Sequence, residues 1–169
     1  MNLPSTFQFQ DLEQFKQADC LGAKLPMGQM ALFDRILEIN NSGGQFSKGE
    51  VIAEYEISPD KWFFGCHFAG DPVMPGCLGL DALWQLAGFY LSWSGFQGKG
   101  RALGSDQVRF FGEILPTTRV VKYHVQVRRI IKKDLTMILA DGDVYADGKH
   151  IYSAEKLRVA VLPKHGGLS

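Results

Sequence analysis

Residues 77–94 read Cys77-Leu78-Gly79-Leu80-Asp81-Ala82-Leu83-Trp84-Gln85-Leu86-Ala87-Gly88-Phe89-Tyr90-Leu91-Ser92-Trp93-Ser94, with Asp81 the single charged residue of the stretch. The Leu, Trp, Phe and Tyr side chains spread around the whole 3.6-residue repeat of a helix and leave no polar face. Pro75-Gly76 precedes the run and Gly95 follows it, the punctuation of a helix start and a helix end. At about 1.5 Å per residue the helix is about 27 Å long, which raises the question of a membrane span. Asp81, Gln85, Gly88 and Ser92 weaken that reading, and the chain on both sides reads as soluble strands. A helix that is apolar all round in a soluble domain is one wrapped by other structure.

Outward from that helix the chain is mostly strand. Upstream, Val51, Ala53, Tyr55 and Ile57 alternate with Glu50, Glu54 and Glu56 on the other face, and Ser58-Pro59-Asp60 closes the strand. Residues 31–39 also read as a strand, ending at the turn cluster Asn40-Asn41-Ser42-Gly43-Gly44. Residues 11–18 read as a short amphipathic helix with Leu12 and Phe15 on one side. Downstream, residues 101–114 read as one strand. Val121, Tyr123, Val125 and Val127 alternate with Lys122, His124, Gln126 and Arg128 in the next. Strands over 135–146 and 150–162 follow, joined at Asp147-Gly148, a hairpin pair. The expectation is one α+β domain over residues 1–169: a long antiparallel sheet curled around one buried central helix, which is the hot-dog arrangement. Open sheet edges and apolar surface make pairing into a homodimer the natural expectation.

Composition bounds the function. The chain has 169 residues, 18 basic and 18 acidic, so overall charge does not point to a nucleic-acid partner. The balance hides a segment of opposite sign: residues 99–133 carry 9 basic and 2 acidic side chains, whereas residues 1–98 carry 5 and 11. A basic segment in an acidic chain suggests an acidic partner at one face, against the plainer reading of solvated strand faces. Three cysteines form no disulfide framework, and the first 15 residues lack a basic stretch followed by an apolar run, so the expected location is the cytoplasm.

Three features carry chemistry. Asp81 lies on a helix without a polar face, where burial favours the neutral acid, and an acid kept protonated can donate a proton. A plain hydrogen bond to backbone at the helix start would also account for it. His67, in the aromatic loop 14 residues before Asp81, is a candidate base, and alone it would more often be a satisfied structural residue. Together, an imidazole and a neutral carboxylic acid make a proton-shuttling pair. At the helix start, Gly76 and Cys77 offer free N–H groups and the positive end of the helix dipole to an oxygen that gains charge, and Gly76 lets a ligand approach closely. Cys66, His67 and Cys77 lack metal-ligand spacing, and a cysteine nucleophile is disfavoured by apolar surroundings. The stretch Gly95-Phe96-Gln97-Gly98-Lys99-Gly100 lacks the Ser or Thr and the spacing of a phosphate loop.

The whole run Trp62-Phe63-Phe64-Gly65-Cys66-His67-Phe68-Ala69-Gly70-Asp71-Pro72-Val73-Met74-Pro75-Gly76-Cys77, continuing through Asp81-Ala82-Leu83-Trp84-Gln85-Leu86, resembles the bacterial 3-hydroxydecanoyl-acyl carrier protein dehydratase/isomerases. The likeness continues through residues 98–104, Leu115-Pro116-Thr117, Ala140-Asp141-Gly142 and Ile151-Tyr152-Ser153-Ala154, and covers about residues 25–162. It implies a hot-dog homodimer with two sites at the subunit interface. His67 comes from one subunit and Asp81 from the other, Gly76 supplies the oxyanion N–H, and the Val73 carbonyl orients the His67 ring. It implies no metal or other cofactor. The sibling dehydratases carry Glu where this chain has Asp81, so Asp81 and Trp84 favour the bifunctional member. Residues 20–30, Ser105-Asp106-Gln107, Phe111 and the tail after Leu162 depart from the family and bear on chain length and isomerisation.

The activity this implies is dehydration of a 3-hydroxyacyl thioester of about ten carbons carried on an acyl carrier protein. Isomerisation of the trans-2 to the cis-3 product follows, in unsaturated fatty acid synthesis. Arg128, Arg129, Lys132 and Lys133 crowd a strand end and turn, and Arg158 on the last strand joins them as the expected docking patch for the acidic carrier. Two alternatives stay open: a hot-dog thioesterase, which would release free thiol, and an acyl-binding module without turnover.

Overall fold

The computed structural model describes residues 4–17 and 24–162. Two α-helices, α1 (Phe9–Gln17) and α2 (Gly76–Trp93), accompany seven strands: β1 (Arg35–Asn40), β2 (Glu50–Glu56), β3 (Lys99–Gly104), β4 (Val108–Phe110), β5 (Val120–Lys132), β6 (Thr136–Ala146) and β7 (Lys149–Leu162). All strands pair antiparallel in one sheet, ordered β1-β2-β5-β6-β7-β3, with β4 also on β7. The sheet curls around α2, which packs across β5, β6 and β7. This is the hot-dog fold.

Alternation places the core. Val51, Ala53, Tyr55, Val121, Tyr123, Val125 and Val127 are buried on the helix side, and the polar residues between them face outward. The β6–β7 hairpin closes through Asp147 at φ 46° and Gly148 at φ 84°, the paired positive angles of a type I′ turn. The Asp147 carboxylate accepts hydrogen bonds from the Arg119 and Val120 N–H groups and so ties that turn to the start of β5. Two glycines bring helix and sheet close together. A Cβ on Gly142 of β6 would stand 2.7 Å from a Leu83 methyl, and one on Gly79 would stand 2.7 Å from the Tyr152 ring.

Three sequence expectations need correction. The strand expected over residues 31–39 begins only at Arg35: the Asp34 carboxylate accepts from the Glu56 N–H and takes a ladder position that backbone would otherwise fill. The strand expected over residues 101–114 is two, β3 and β4. Between them the Asp106 N–H donates to the Glu155 carbonyl and the Glu155 N–H to the Gln107 carbonyl, and the Asp106 carboxylate binds Lys156 and Arg158 at 2.8 and 2.7 Å, so residues 105–107 are held to β7 by two backbone bonds and a side chain rather than a regular ladder. The helix expected over residues 11–18 is α1, which starts at Phe9 and buries Leu12. Ala18, the Phe15 side chain, residues 20–23 and the tail after Leu162 lie outside the described residues.

Candidate active site

The loop between β2 and α2 is built by aromatics. Phe63 and Phe64, in the 3-10 turn Trp62–Gly65, are buried and anchor it to the core. The chain then closes on itself: the His67 N–H donates to the Phe63 carbonyl at 2.9 Å, and the Val73 N–H donates to the His67 carbonyl at 2.7 Å. Met74 is buried, and its N–H donates to the Ile114 carbonyl, which joins the loop to the chain beyond β4. Within this frame the half-buried His67 ring lies over Phe68 and places Nδ1 2.9 Å from the Val73 carbonyl oxygen. A carbonyl only accepts, so Nδ1 carries the hydrogen, and in the neutral ring the Nε2 lone pair is free.

Pro75 caps α2 at φ −55° and ψ 127°, and no side chain bonds the first N–H groups of the helix. The Leu78 N–H donates to the Pro75 carbonyl at 3.0 Å, and the Gly76 and Cys77 N–H groups before it have no intrahelical acceptor. A Cβ on Gly76 would meet the Phe110 ring at 2.8 Å, so only glycine fits between that ring and the helix start. Behind it, burial pushes the Tyr152 hydroxyl up to about 12, which keeps it neutral. Phe110 packs edge-on to that ring at 4.8 Å.

Asp81 lies further along α2 and is half-buried rather than buried. The reason is a cavity of about 200 Å³ between α2, residues 24–26 and β3, with Asp81, Trp84, Gln85, Gly88 and Ser92 along its helical wall. The helix therefore has a polar stripe. Asp81, Gln85, Gly88 and Ser92 recur at spacings of four, three and four, one face of an α-helix, a pattern the sequence contains and the reading as a helix without a polar face passed over. The Gln85 amide donates to Asp81 Oδ2 at 2.7 Å, and the Trp84 indole donates to the Gly104 carbonyl at 3.3 Å. His67 does not line the Asp81 cavity within one chain.

Cys66 and Cys77 are both free thiols and both exposed. Among the described residues no group of three His, Cys, Asp or Glu side chains could hold a metal ion, and no helix is long and apolar enough to cross a membrane.

The five basic residues do not form one patch of free cations. Arg128 is paired with Asp141 through two hydrogen bonds of 2.7 and 2.6 Å and lies over the Phe46 ring. Arg158 is held by Asp106, whose carboxyl is kept below its usual range by Lys156 first and Arg158 second. Lys132 turns to the Phe96 ring at 4.8 Å. Arg129 and Lys133 are exposed, and Arg129 shares a cross-strand row with Leu139 and Arg158.

Over most of this hot-dog domain, residues 25–155, the chain matches the FabA-like domain. The chain belongs to the FabA-like domain family. Solved structures share the fold of this FabA-like domain at low identity. The dehydratase heterocomplex ApeI:P from Xenorhabdus doucetiae superposes with a TM-score of 0.62 at 15% identity, over 83% of this chain and 88% of that one. A sigma28-regulated virulence protein from Campylobacter jejuni gives 0.54 at 8% identity, over 82% of each chain. A hypothetical thioesterase with coenzyme A from Streptococcus pneumoniae gives 0.52 at 11%, over 78% and 87%.

Proposed function

We propose that this FabA-like protein is a 3-hydroxyacyl-acyl carrier protein dehydratase that also isomerises the trans-2 ten-carbon product to its cis-3 isomer. The observation that carries the reading is the Val73–His67 bond, which leaves Nε2 of a neutral imidazole as a base beside an uncapped helix start. His67 Nε2 takes the proton from the carbon next to the thioester carbonyl. The Gly76 N–H and the helix dipole hold the oxygen that gains charge, with the Cys77 N–H beside it. Protonated Asp81 gives its proton to the leaving hydroxyl, and water departs. Isomerisation moves a proton from the fourth carbon to the second with the same groups and expels no water. No cofactor enters these steps.

His67 and Asp81 meet across a homodimer. Within one chain they do not share a cavity. The outer strand β3 is exposed from Lys99 to Leu103, Phe68, Phe110 and Phe111 are 55, 51 and 53% exposed, and Phe110 lies against the helix start. A second copy covers that apolar surface and the free strand edge, and sets its His67 against this chain's Asp81. The acyl chain lies along the α2 cavity. The acidic carrier protein docks on Arg129, Lys132 and Lys133, with Arg128 and Arg158 tied to their own carboxylates, and the reaction runs in the cytoplasm.

The test is mass-spectrometric product analysis on 3-hydroxydecanoyl-acyl carrier protein. The expected products are trans-2- and cis-3-decenoyl thioesters. Release of free thiol without alkene would make the protein a thioesterase, and binding without any product would make it an acyl-binding module.

A further inference from the structure

We infer that Asp106 sets how tightly the acidic carrier docks: its carboxylate occupies, between Lys156 and Arg158, the place that a carboxylate of the carrier takes, and so withholds two cations from the docking patch. The inference rests on the reading that an acidic carrier protein delivers the substrate. Two ion pairs carry it. Asp106 Oδ2 lies 2.8 Å from Lys156 Nζ, and Oδ1 lies 2.7 Å from Arg158 Nη1. One carboxylate thus serves both cations. Lys156 first and Arg158 second hold it below its usual range, which keeps it charged at neutral pH.

The cluster continues the patch at the end of β5. Arg129 pairs in register with Leu139, and Leu139 with Arg158, so Arg129 and Arg158 share one sheet face two strands apart, about 10 Å. Arg158 pairs in turn with Gly104 of β3, and Val159 beside it pairs with Ala102. Val159 and Ala102 both line the α2 cavity, so the cluster sits on the strand pair that walls the acyl site. Asp106 and Asp141 differ in kind. Asp141 is 9% exposed, and besides Arg128 it accepts from the Lys156 N–H at 3.0 Å, which holds Lys156 in the left-handed region at φ 50°. The Asp106 side chain is 36% exposed, and those of Lys156 and Arg158 are 45 and 33% exposed, within reach of a partner. Exposed pairs of this kind are weak and exchangeable. A carrier carboxylate that displaces Asp106 gains little over the contacts it breaks. The complex is therefore short-lived, as suits a carrier that must leave with its product.

The experiment compares the full-length wild type with Asp106→Asn and with the triple variant Asp106→Asn, Lys156→Gln, Arg158→Gln. Each is assayed for dehydration of 3-hydroxydecanoyl-acyl carrier protein and of the matching N-acetylcysteamine thioester, at low and high salt, with fold checked by thermal melting. Asp106→Asn should lower KM for the carrier-protein substrate about three- to tenfold at low salt, lose most of that gain at high salt, and leave the small thioester unchanged. The triple variant should return KM to the wild-type value or above, because the freed cations are gone. A folded Asp106→Asn enzyme with an unchanged or raised KM for the carrier-protein substrate overturns the inference. So does an equal shift on both substrates, or a gain that survives in the triple variant. Arg129→Glu combined with Lys133→Glu separates this from the docking reading. A raised KM there keeps the carrier at the end of β5 even when Asp106→Asn changes nothing, and no effect in either removes the docking itself. If Asp106→Asn does not fold, Asp106→Ser is read in the same way, and failure of both assigns the carboxylate to the fold and overturns the inference.

Discussion

At His67 a single contact sets the tautomer of the ring. The Val73 carbonyl can only accept, so it fixes which ring nitrogen holds the hydrogen and which is free to take one. Asp81 is half-buried, open to a cavity on one side and bonded to Gln85 on the other. We expect His67→Ala and Asp81→Asn each to lower dehydration kcat by about 10²- to 10⁴-fold with the fold intact. Steady-state assays paired with thermal melts check this, and losses under tenfold in a folded variant would remove that residue from the proton transfers. Both residues were legible in the sequence because each stands out from its surroundings: one charge in an apolar helix, one imidazole in an aromatic loop. Gln85 was not, although it sits four residues after Asp81 on the same face. A glutamine on a helix is ordinary until the carbonyl that locks its amide is known, and Met30 comes from a distant turn.

The elements were legible where one physical pattern dominates. Helix α2 and the alternating strands β2 and β5 follow directly from apolar periodicity, and Asp147-Gly148 from its turn chemistry. The reading failed where side chains compete with the ladder. Asp34 shortens β1, and the Asp106 carboxylate binds Lys156 and Arg158 where β3 gives way to β4, because a carboxylate in the right place satisfies N–H groups or binds cations that periodicity cannot foresee. The same contacts redraw the basic patch, since Asp141 and Asp106 occupy Arg128 and Arg158 and leave the end of β5 to carry the charge. At that strand end, Arg129→Glu combined with Lys133→Glu should raise KM for a carrier-protein substrate severalfold. It should leave turnover of a short N-acetylcysteamine thioester unchanged, because rim charges act on encounter with a charged partner. Kinetics on the two substrates at low and high salt separate the cases. An equal loss on both would assign these charges to the fold.

On the proposed reading, one chain taken whole is an incomplete catalyst. Its sheet ends in an exposed strand, an exposed phenylalanine, Phe110, lies against its helix start, and its imidazole stands outside the cavity that holds its carboxyl. Edges and apolar surface of this kind invite cover, and the proposed twofold copy would cover both at once. The sequence foreshadows pairing through its open sheet, and a shared site only through its resemblance, because no local pattern states which edge a second chain will take. The direct measurement is complementation. His67→Ala and Asp81→Asn chains, each inactive alone, are unfolded together, refolded and assayed for dehydration, with mass spectrometry to confirm mixed dimers. Random reassortment makes about half of the dimers mixed, each with one intact site of two, so roughly a quarter of wild-type activity should return. Mixed dimers that form and stay inactive would show that each site is built within one chain, and the account of a shared site would be wrong.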